Sequence, residues 1–245
     1  MTPACGRPPW TGRPSGHQTD LLGPMLLLTF EGIDGSGKST QAHRLNEHLQ
    51  ERGHETLLVR EPGGTELSEQ VRSVLLEPAL NVHPMAELLL FSAARTQLVT
   101  ERIRPALEAG RIVICDRFYD STTAYQGAGR NVADPEWLQS FHRRVTDGLV
   151  PDRTYLVELD PETARARRTE GDDAAGDRME AEDEAFYHRV AAAYDTLADE
   201  HSARIHRLDG HRSIGALHAE IRGDVEALLD APPGTPHAAT GSSDP

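Results

Sequence analysis

Residues 32–39, Gly32-Ile33-Asp34-Gly35-Ser36-Gly37-Lys38-Ser39, fit the pattern G-x-x-x-x-G-K-[ST]. These residue types suit a polyphosphate. Glycine lacks Cβ and lets backbone N–H groups turn toward phosphate oxygens. The lysine is a compact charge able to reach the β- and γ-phosphates, and the serine hydroxyl can ligate Mg²⁺. Thr40 extends the set into a predicted helix whose N-terminus adds positive potential. Of the 25 basic residues, Lys38 is the only lysine and the other 24 are arginine. Arginine is a planar fork too bulky for such a loop, so the one lysine stands where arginine cannot replace it. Asp116 ends the apolar stretch "IVICDR". A strand-end aspartate is ordinary by itself, but beside a phosphate loop it can hold Mg²⁺ through water, as a Walker B acid does.

The elements that must position these groups alternate regularly. Apolar runs at residues 25–32, 55–61, 111–116, 153–159 and 204–208 read as strands. Helical periodicity falls at 39–52, 66–77, 84–109, 134–147, 161–169, 183–201 and 213–229. Strand and helix in alternation predict an α/β fold, a five-stranded parallel sheet flanked by helices with right-handed crossovers. One domain is expected over residues 25–229. Residues 1–24 are rich in Pro, Gly and Arg without the apolar core of a signal peptide, and read as a disordered extension or as the product of an upstream start ahead of Met25. Residues 230–245 have the composition of a disordered tail.

Composition narrows the function classes. Hydrophobic residues make up 38% of the chain, and it has no 18-residue apolar run, so no membrane span is expected. A net charge of -14 argues against nucleic acid and anionic lipid as partners. Two cysteines, Cys5 and Cys115, make no disulfide framework and suit a reducing cytoplasm. The histidines show no ligand spacing, so no metal beyond nucleotide-bound Mg²⁺ is expected.

A guanine-specific GTPase would need a second lysine in an NKxD-type segment, which this chain lacks. A kinase of small molecules needs a second anion site facing the loop, and a lid. "REPGGT" (60–65) follows the second strand, at the sheet edge where ligands bind in open α/β folds. "LLLFSAARTQL" (88–98) sets Phe91 and Arg95 four apart on one helix face, able to stack on a base and to bond its edge. Taken alone, Phe91 reads more readily as core packing. "DRFYDSTTAYQG" (116–127) adds an arginine, hydroxyls and a glutamine.

These segments, with "FEGIDGSGKST" and "DRMEAED" and in this order, resemble the thymidylate kinase family of P-loop nucleoside monophosphate kinases, over Met25 to about Leu229. The resemblance implies ATP and dTMP as ligands, Mg²⁺ with the ATP, dTDP as product, a homodimer and a cytoplasmic enzyme. Lys38, Ser39 and the loop amides would hold ATP and Mg²⁺. Asp34 would lie near the sugar 3′-hydroxyl. Phe91 would stack on thymine, and Arg95 would bond its O4. Arg72 and Arg117 would surround the acceptor phosphate, with Glu61, Pro62 and Ser121 in the same pocket. Thr122 and Gln126 would meet the base edge, and Tyr125 would pack under the deoxyribose. Some members carry an arginine inside the loop where this chain has Gly35; others supply it from a lid, here about residues 164–183. Arg168 and Arg178 are both candidates, and the sequence does not rank them. Two rivals remain open: a deoxynucleoside kinase using Glu61 as base, and a P-loop regulator with no small-molecule acceptor.

The lysine scarcity and acidity fit either codon bias or adaptation to high salt. Salt adaptation predicts activity that holds or rises with added salt; an optimum at low salt followed by steady loss excludes it.

Overall fold

The computed structural model describes residues 25–169, 178–179 and 182–231. The expected N-terminal extension, the tail beyond residue 231 and the middle of the expected lid lie outside the described residues. Five parallel strands, β1 (Leu26–Glu31), β2 (Thr56–Arg60), β3 (Ile112–Asp116), β4 (Arg153–Glu158) and β5 (Ile205–Asp209), form one sheet in the order β2-β3-β1-β4-β5. The strand order reverses beside β1, so the carboxyl ends of β1 and β3 face a crevice where ligands bind in such sheets. All six residues of β1 are buried, as its near-continuous apolar run predicts for a central parallel strand.

Side chains alternate across the strands and build a core on each face. Leu26, Leu28, Phe30, Ile112, Ile114 and Val157 meet Leu45, Leu49 and Ile221 of α1 (Lys38–Glu51) and α9 (Ile214–Asp230). On the other face Leu27, Val59 and Val113 pack on Leu98 of α3 (Pro84–Leu98) and Leu107 of α4 (Arg104–Glu108). Leu156 and Ile205 pack on Phe186, Val190 and Leu197 of α8 (Glu184–Glu200). The remaining helices are α2 (Glu66–Leu76), α5 (Tyr119–Thr122), α6 (Pro135–Val145) and α7 (Pro161–Thr169).

Two departures from the sequence expectation have physical causes. Residues 84–109 are not one regular α-helix: a π-helical turn, Val99–Ile103, joins α3 to α4 just before Pro105. Proline lacks an N–H and its ring clashes with the preceding turn, so the widened turn admits it. The stretch after β3, expected only as a source of polar groups, is helical: α5 continues as a π-helix, Thr123–Gly129. Its threonines and glycines are poor helix formers. Tertiary bonds hold it instead, from Arg189 to the Gly129 carbonyl at 3.0 Å and between Thr123 Oγ1 and His142 Nε2 at 3.0 Å. Gly129 is required by packing, since a Cβ there would lie 2.6 Å from the Phe186 ring.

His142, on α6, is buried and stacks on Tyr119 with ring centroids 5.3 Å apart. Burial, helped by Arg95 and opposed by Asp120, pushes its pKa down to about 3. The folded chain therefore holds it neutral while the unfolded chain takes a proton below about 6.5. Its stabilising contribution is complete above that pH and is lost as pH falls toward 3. Glu61, raised to about 7, acts with the opposite sign in part of this window. Chemical denaturation from pH 7 to pH 4 should show wild type losing more stability than His142→Gln, by up to about 1.4 kcal/mol per pH unit; parallel curves would contradict the assignment.

Candidate active site

The glycine-rich loop leaves the buried end of β1 and enters α1. Gly32, Gly35 and Gly37 take φ values of 135°, 90° and 98°, in the region that side-chain-bearing residues avoid. Side chains of Thr65, Asp134, Asp183 and Ser213 cap α2, α6, α8 and α9, whereas α1 starts at Gly37 with no side-chain cap. The first amides of α1 are thus left to an anion, which the helix dipole favours. Ser39 and Thr40 are exposed on that first turn, and Ser36 is buried with its Oγ unpartnered among the described residues. Ile33 sends its side chain into the core beside Ala164 and Tyr125 while its backbone stays in the loop.

Asp34 is the junction of the site. Its Oδ1 accepts from Arg117 Nη2 at 2.5 Å and from Lys38 Nζ at 3.3 Å, and its Oδ2 accepts from the Tyr125 hydroxyl at 3.0 Å. Burial works to raise the Asp34 pKa, but Arg117 and Lys38 outweigh it and hold the carboxyl far below the usual range. Desolvation, and then the neighbouring Arg117, push the Lys38 pKa down, while Asp34 and Asp116 oppose them. Two cations drawn onto one carboxylate repel each other, so a further anion is favoured here.

Arg117, at φ 70°, also donates to Ser121 Oγ at 2.8 Å and lies 5.0 Å over the Tyr125 ring. Beneath it lies Glu31, which accepts from the Phe118 amide at 2.7 Å, from Ser121 Oγ at 2.5 Å and from the Tyr194 hydroxyl at 2.9 Å. Burial, then Asp120, raises the Glu31 pKa. Asp116 Oδ1 is buried with no hydrogen-bond partner among the described residues, which suits a cation beside Ser39.

All eleven acceptor-side residues named from the sequence line one cleft, joined by Leu76 and Met179. Phe91 is half-buried there and belongs to none of the three apolar clusters, so it faces the cleft rather than the core. Arg95 is buried; its Nε donates to Glu61 Oε2 at 2.6 Å and its Nη2 to the Phe118 carbonyl at 3.2 Å. Its Nη1 is buried without a partner among the described residues, as is Glu61 Oε1. Burial outweighs Arg95 and raises the Glu61 pKa to about 7. Arg72 Nη1 donates to the Pro62 carbonyl at 3.1 Å, at one wall of the cleft.

The two lid arginines occupy different places. Arg168 Nη1 donates to the Asp34 carbonyl at 2.6 Å and the guanidinium lies 4.8 Å over the Tyr187 ring. Arg178 instead pairs with buried Glu87 at 2.7 Å and donates to the Leu75 carbonyl at 2.8 Å. A Cβ on Gly35 would strike the Ala164 carbonyl and lie 3.1 Å from Arg168 Cγ. The small residue in the loop is therefore what admits the arginine from α7.

Sequence reasoning missed Glu31, Glu87, Tyr194, Leu76 and Met179. A carboxylate closing an otherwise buried strand was a signal for Glu31; Tyr194 and Met179 reach the site from elements distant in sequence and carried none. Among the described residues Glu162, Glu184 and His188 form an exposed grouping with ligand atoms within 4.8 Å of one another, and His188 already pairs with both glutamates.

The family model described as thymidylate kinase matches residues 30–221. A thymidylate kinase of Chlorobium chlorochromatii is 47% identical over 213 residues, covering 83% of this chain and 96% of that one. One of an Exiguobacterium species is 44% identical over 197 residues, covering 80% and 92%. The crystal structure of thymidylate kinase from Ehrlichia chaffeensis superposes with a TM-score of 0.67 at 35% identity, covering 82% of this chain and 98% of that chain.

If Arg168 reaches the transferring group, Arg168→Ala should cut turnover by about 10³-fold or more. Arg178→Ala should raise the acceptor KM and change turnover far less. Steady-state kinetics on both variants check this, and a larger turnover loss in Arg178→Ala would reverse the ranking.

Proposed function

The chain belongs to the thymidylate kinase family, and on that premise we propose how its own residues carry the family's reaction, transfer of the γ-phosphoryl group of ATP to dTMP. The observation that carries the reading is that Asp34 belongs at once to the phosphate loop and to the cleft, where it binds both Lys38 and Arg117. Donor and acceptor sites thus meet at one carboxylate and two cations.

The acceptor is a phosphate monoester whose second pKa is about 6, so it is already a dianion near neutrality. It needs no general base. The difficulty is bringing two polyanions together, and positioned cations meet it in an in-line, largely dissociative transfer. Lys38 and the α1 amides hold the ATP phosphates. Arg117 and Arg72 draw in the acceptor phosphate, and Arg168 adds charge from the lid side. Ser39 and Asp116 would hold Mg²⁺, which when bound neutralises charge on the β- and γ-phosphates. At the far end Phe91 stacks on thymine, and Arg95 and Gln126 meet its edge, with Thr122 beside them. Tyr125, held by Asp34, packs under the sugar and disfavours a 2′-hydroxyl.

A nucleoside kinase would need Glu61 as base at a 5′-hydroxyl. Glu61 is engaged by Arg95 instead, and the arginines suit an acceptor that is already anionic. A regulator without an acceptor leaves the lined cleft without a use. A homodimer is also proposed. Leu67 and Val74 of α2, Leu89 of α3 and Trp137 of α6 expose apolar surface suited to it. No described helix is long and apolar enough to cross a membrane, and the free, buried thiol of Cys115 suits a cytoplasmic setting.

A coupled ADP-release assay with Mg·ATP tests the reading. dTMP should drive release, thymidine should not, and dUMP, lacking one methyl, should be poorer by roughly 10–200-fold. Release driven by thymidine would make Glu61 the base. Equal use of dUMP and dTMP would refute a methyl-reading pocket.

A further inference from the structure

Glu87 lies on α3 outside the cleft lining, with no exposed side-chain surface. Both of its oxygens are occupied. Oε1 accepts from Gln126 Nε2 at 2.8 Å and Arg130 Nε at 3.1 Å; Oε2 accepts from Arg130 Nη2 at 3.2 Å and pairs with Arg178 Nη2 at 2.7 Å. Burial favours the neutral acid, but the bonds from Arg130 and Gln126 outweigh it and lower the pKa, so the group is a carboxylate. A carboxylate can only accept. The orientation of a glutamine amide is in general ambiguous; here chemistry decides it. Gln126 must turn its NH₂ to Glu87 and its Oε1 to the cleft it lines.

The cleft consequently offers one fixed donor, the unpartnered Nη1 of Arg95, and one fixed acceptor, Oε1 of Gln126. A pyrimidine with a 4-keto group and an N3–H presents the complementary acceptor and donor. A 4-amino pyrimidine with a bare N3 presents a donor and an acceptor, mismatched at both points. Arg95 cannot invert, since guanidinium only donates. Gln126 could, by a half-turn of its amide. We propose that Glu87 is a specificity-positioning residue, which sets discrimination against 4-amino pyrimidine nucleotides by forbidding that half-turn. The inference rests on the dTMP site assigned above.

The same carboxylate ties three elements together: α3, the π-helix carrying Gln126, and Arg178 next to Met179, which lines the cleft. In Glu87→Gln the new amide can donate or accept, and Gln126 is released to turn either way.

The test compares kcat/KM for dTMP and dCMP in wild type, Glu87→Gln, Gln126→Leu and the double variant. Glu87→Gln should lower the dTMP:dCMP ratio by roughly 10–100-fold, the scale set by one mispaired buried polar group, through a higher dTMP KM and a gain with dCMP, while the ATP KM holds. In the Gln126→Leu background the same change should move the ratio no further, because the group it acts through is gone. An unchanged ratio in Glu87→Gln overturns the proposal, as does an equal effect in both backgrounds, which would make the role merely structural. The wild type carries a check independent of any Glu87 variant. With ¹⁵N-labelled glutamine amides, and the Gln126 signal identified by its loss in Gln126→Leu, that amide should be protected from exchange before dTMP is added; fast exchange overturns the assignment. A wild type that does not prefer dTMP to dCMP overturns the dTMP site itself and this inference with it, whereas a preference retained in Glu87→Gln removes only Glu87's part.

Discussion

The Asp34 carboxylate is the constraint on which the site is built. Held by Arg117, Lys38 and Tyr125, it fixes the glycine-rich loop against the cleft from both sides. Its position follows from β1 and β3 being paired neighbours, because the loop leaves the end of one and Arg117 follows the end of the other. Arg117 accepts an unfavourable backbone conformation there, in the left-handed region, which the surrounding bonds to Asp34, Ser121 and Tyr125 must outweigh. Removing charge at this point would leave two buried cations facing each other, so phosphate binding and local order rest on the same group.

A single device recurs around this centre: a buried carboxylate holding an arginine in one orientation. Glu61 holds Arg95, Glu87 holds Arg130 and Arg178, and Asp120 holds Arg204 at 2.6 Å. Arginine suits these pairs because its planar fork forms parallel bonds and loses less freedom per bond than a flexible ammonium. The arginine-rich composition, puzzling as a list of residues, is thus put to use in the fold. Lysine is kept for the one place where a compact charge must enter a narrow loop. Such buried pairs give orientation more surely than stability, since desolvating both partners offsets much of their attraction. Orientation is what base and phosphate recognition require.

The lid and the helix that follows it contribute at three separate points. Arg168 on α7 touches the loop through the Asp34 carbonyl. Tyr194 on α8 reaches Glu31 and Ser121 beneath Arg117. Arg178 engages Glu87 behind the base end of the cleft. Both ends of the cleft are therefore bonded to the same stretch of chain, and Gly35 leaves the space in which Arg168 makes its approach.

The gathering of Phe91, Arg95, Tyr125 and Gln126 at one site was an implication of the family resemblance, whereas the alternation of parallel strands and helices, the phosphate loop and the acid ending β3 were legible in the residues themselves. Each depends on local rules: period, glycine at positive φ, and chemistry at strand ends. The sequence left open whether Phe91 served core or cleft, and did not rank Arg168 against Arg178. It gave no hint that residues 119–129 are helical, because their own propensities oppose it. Those matters depended on contacts between segments far apart in the chain, such as Gln126 with Glu87 and Arg117 with Asp34. A side chain's neighbours across such distances are set by how the sheet and helices pack, and no local pattern encodes them; the residue types were fixed by sequence, and the directions in which they point by tertiary structure.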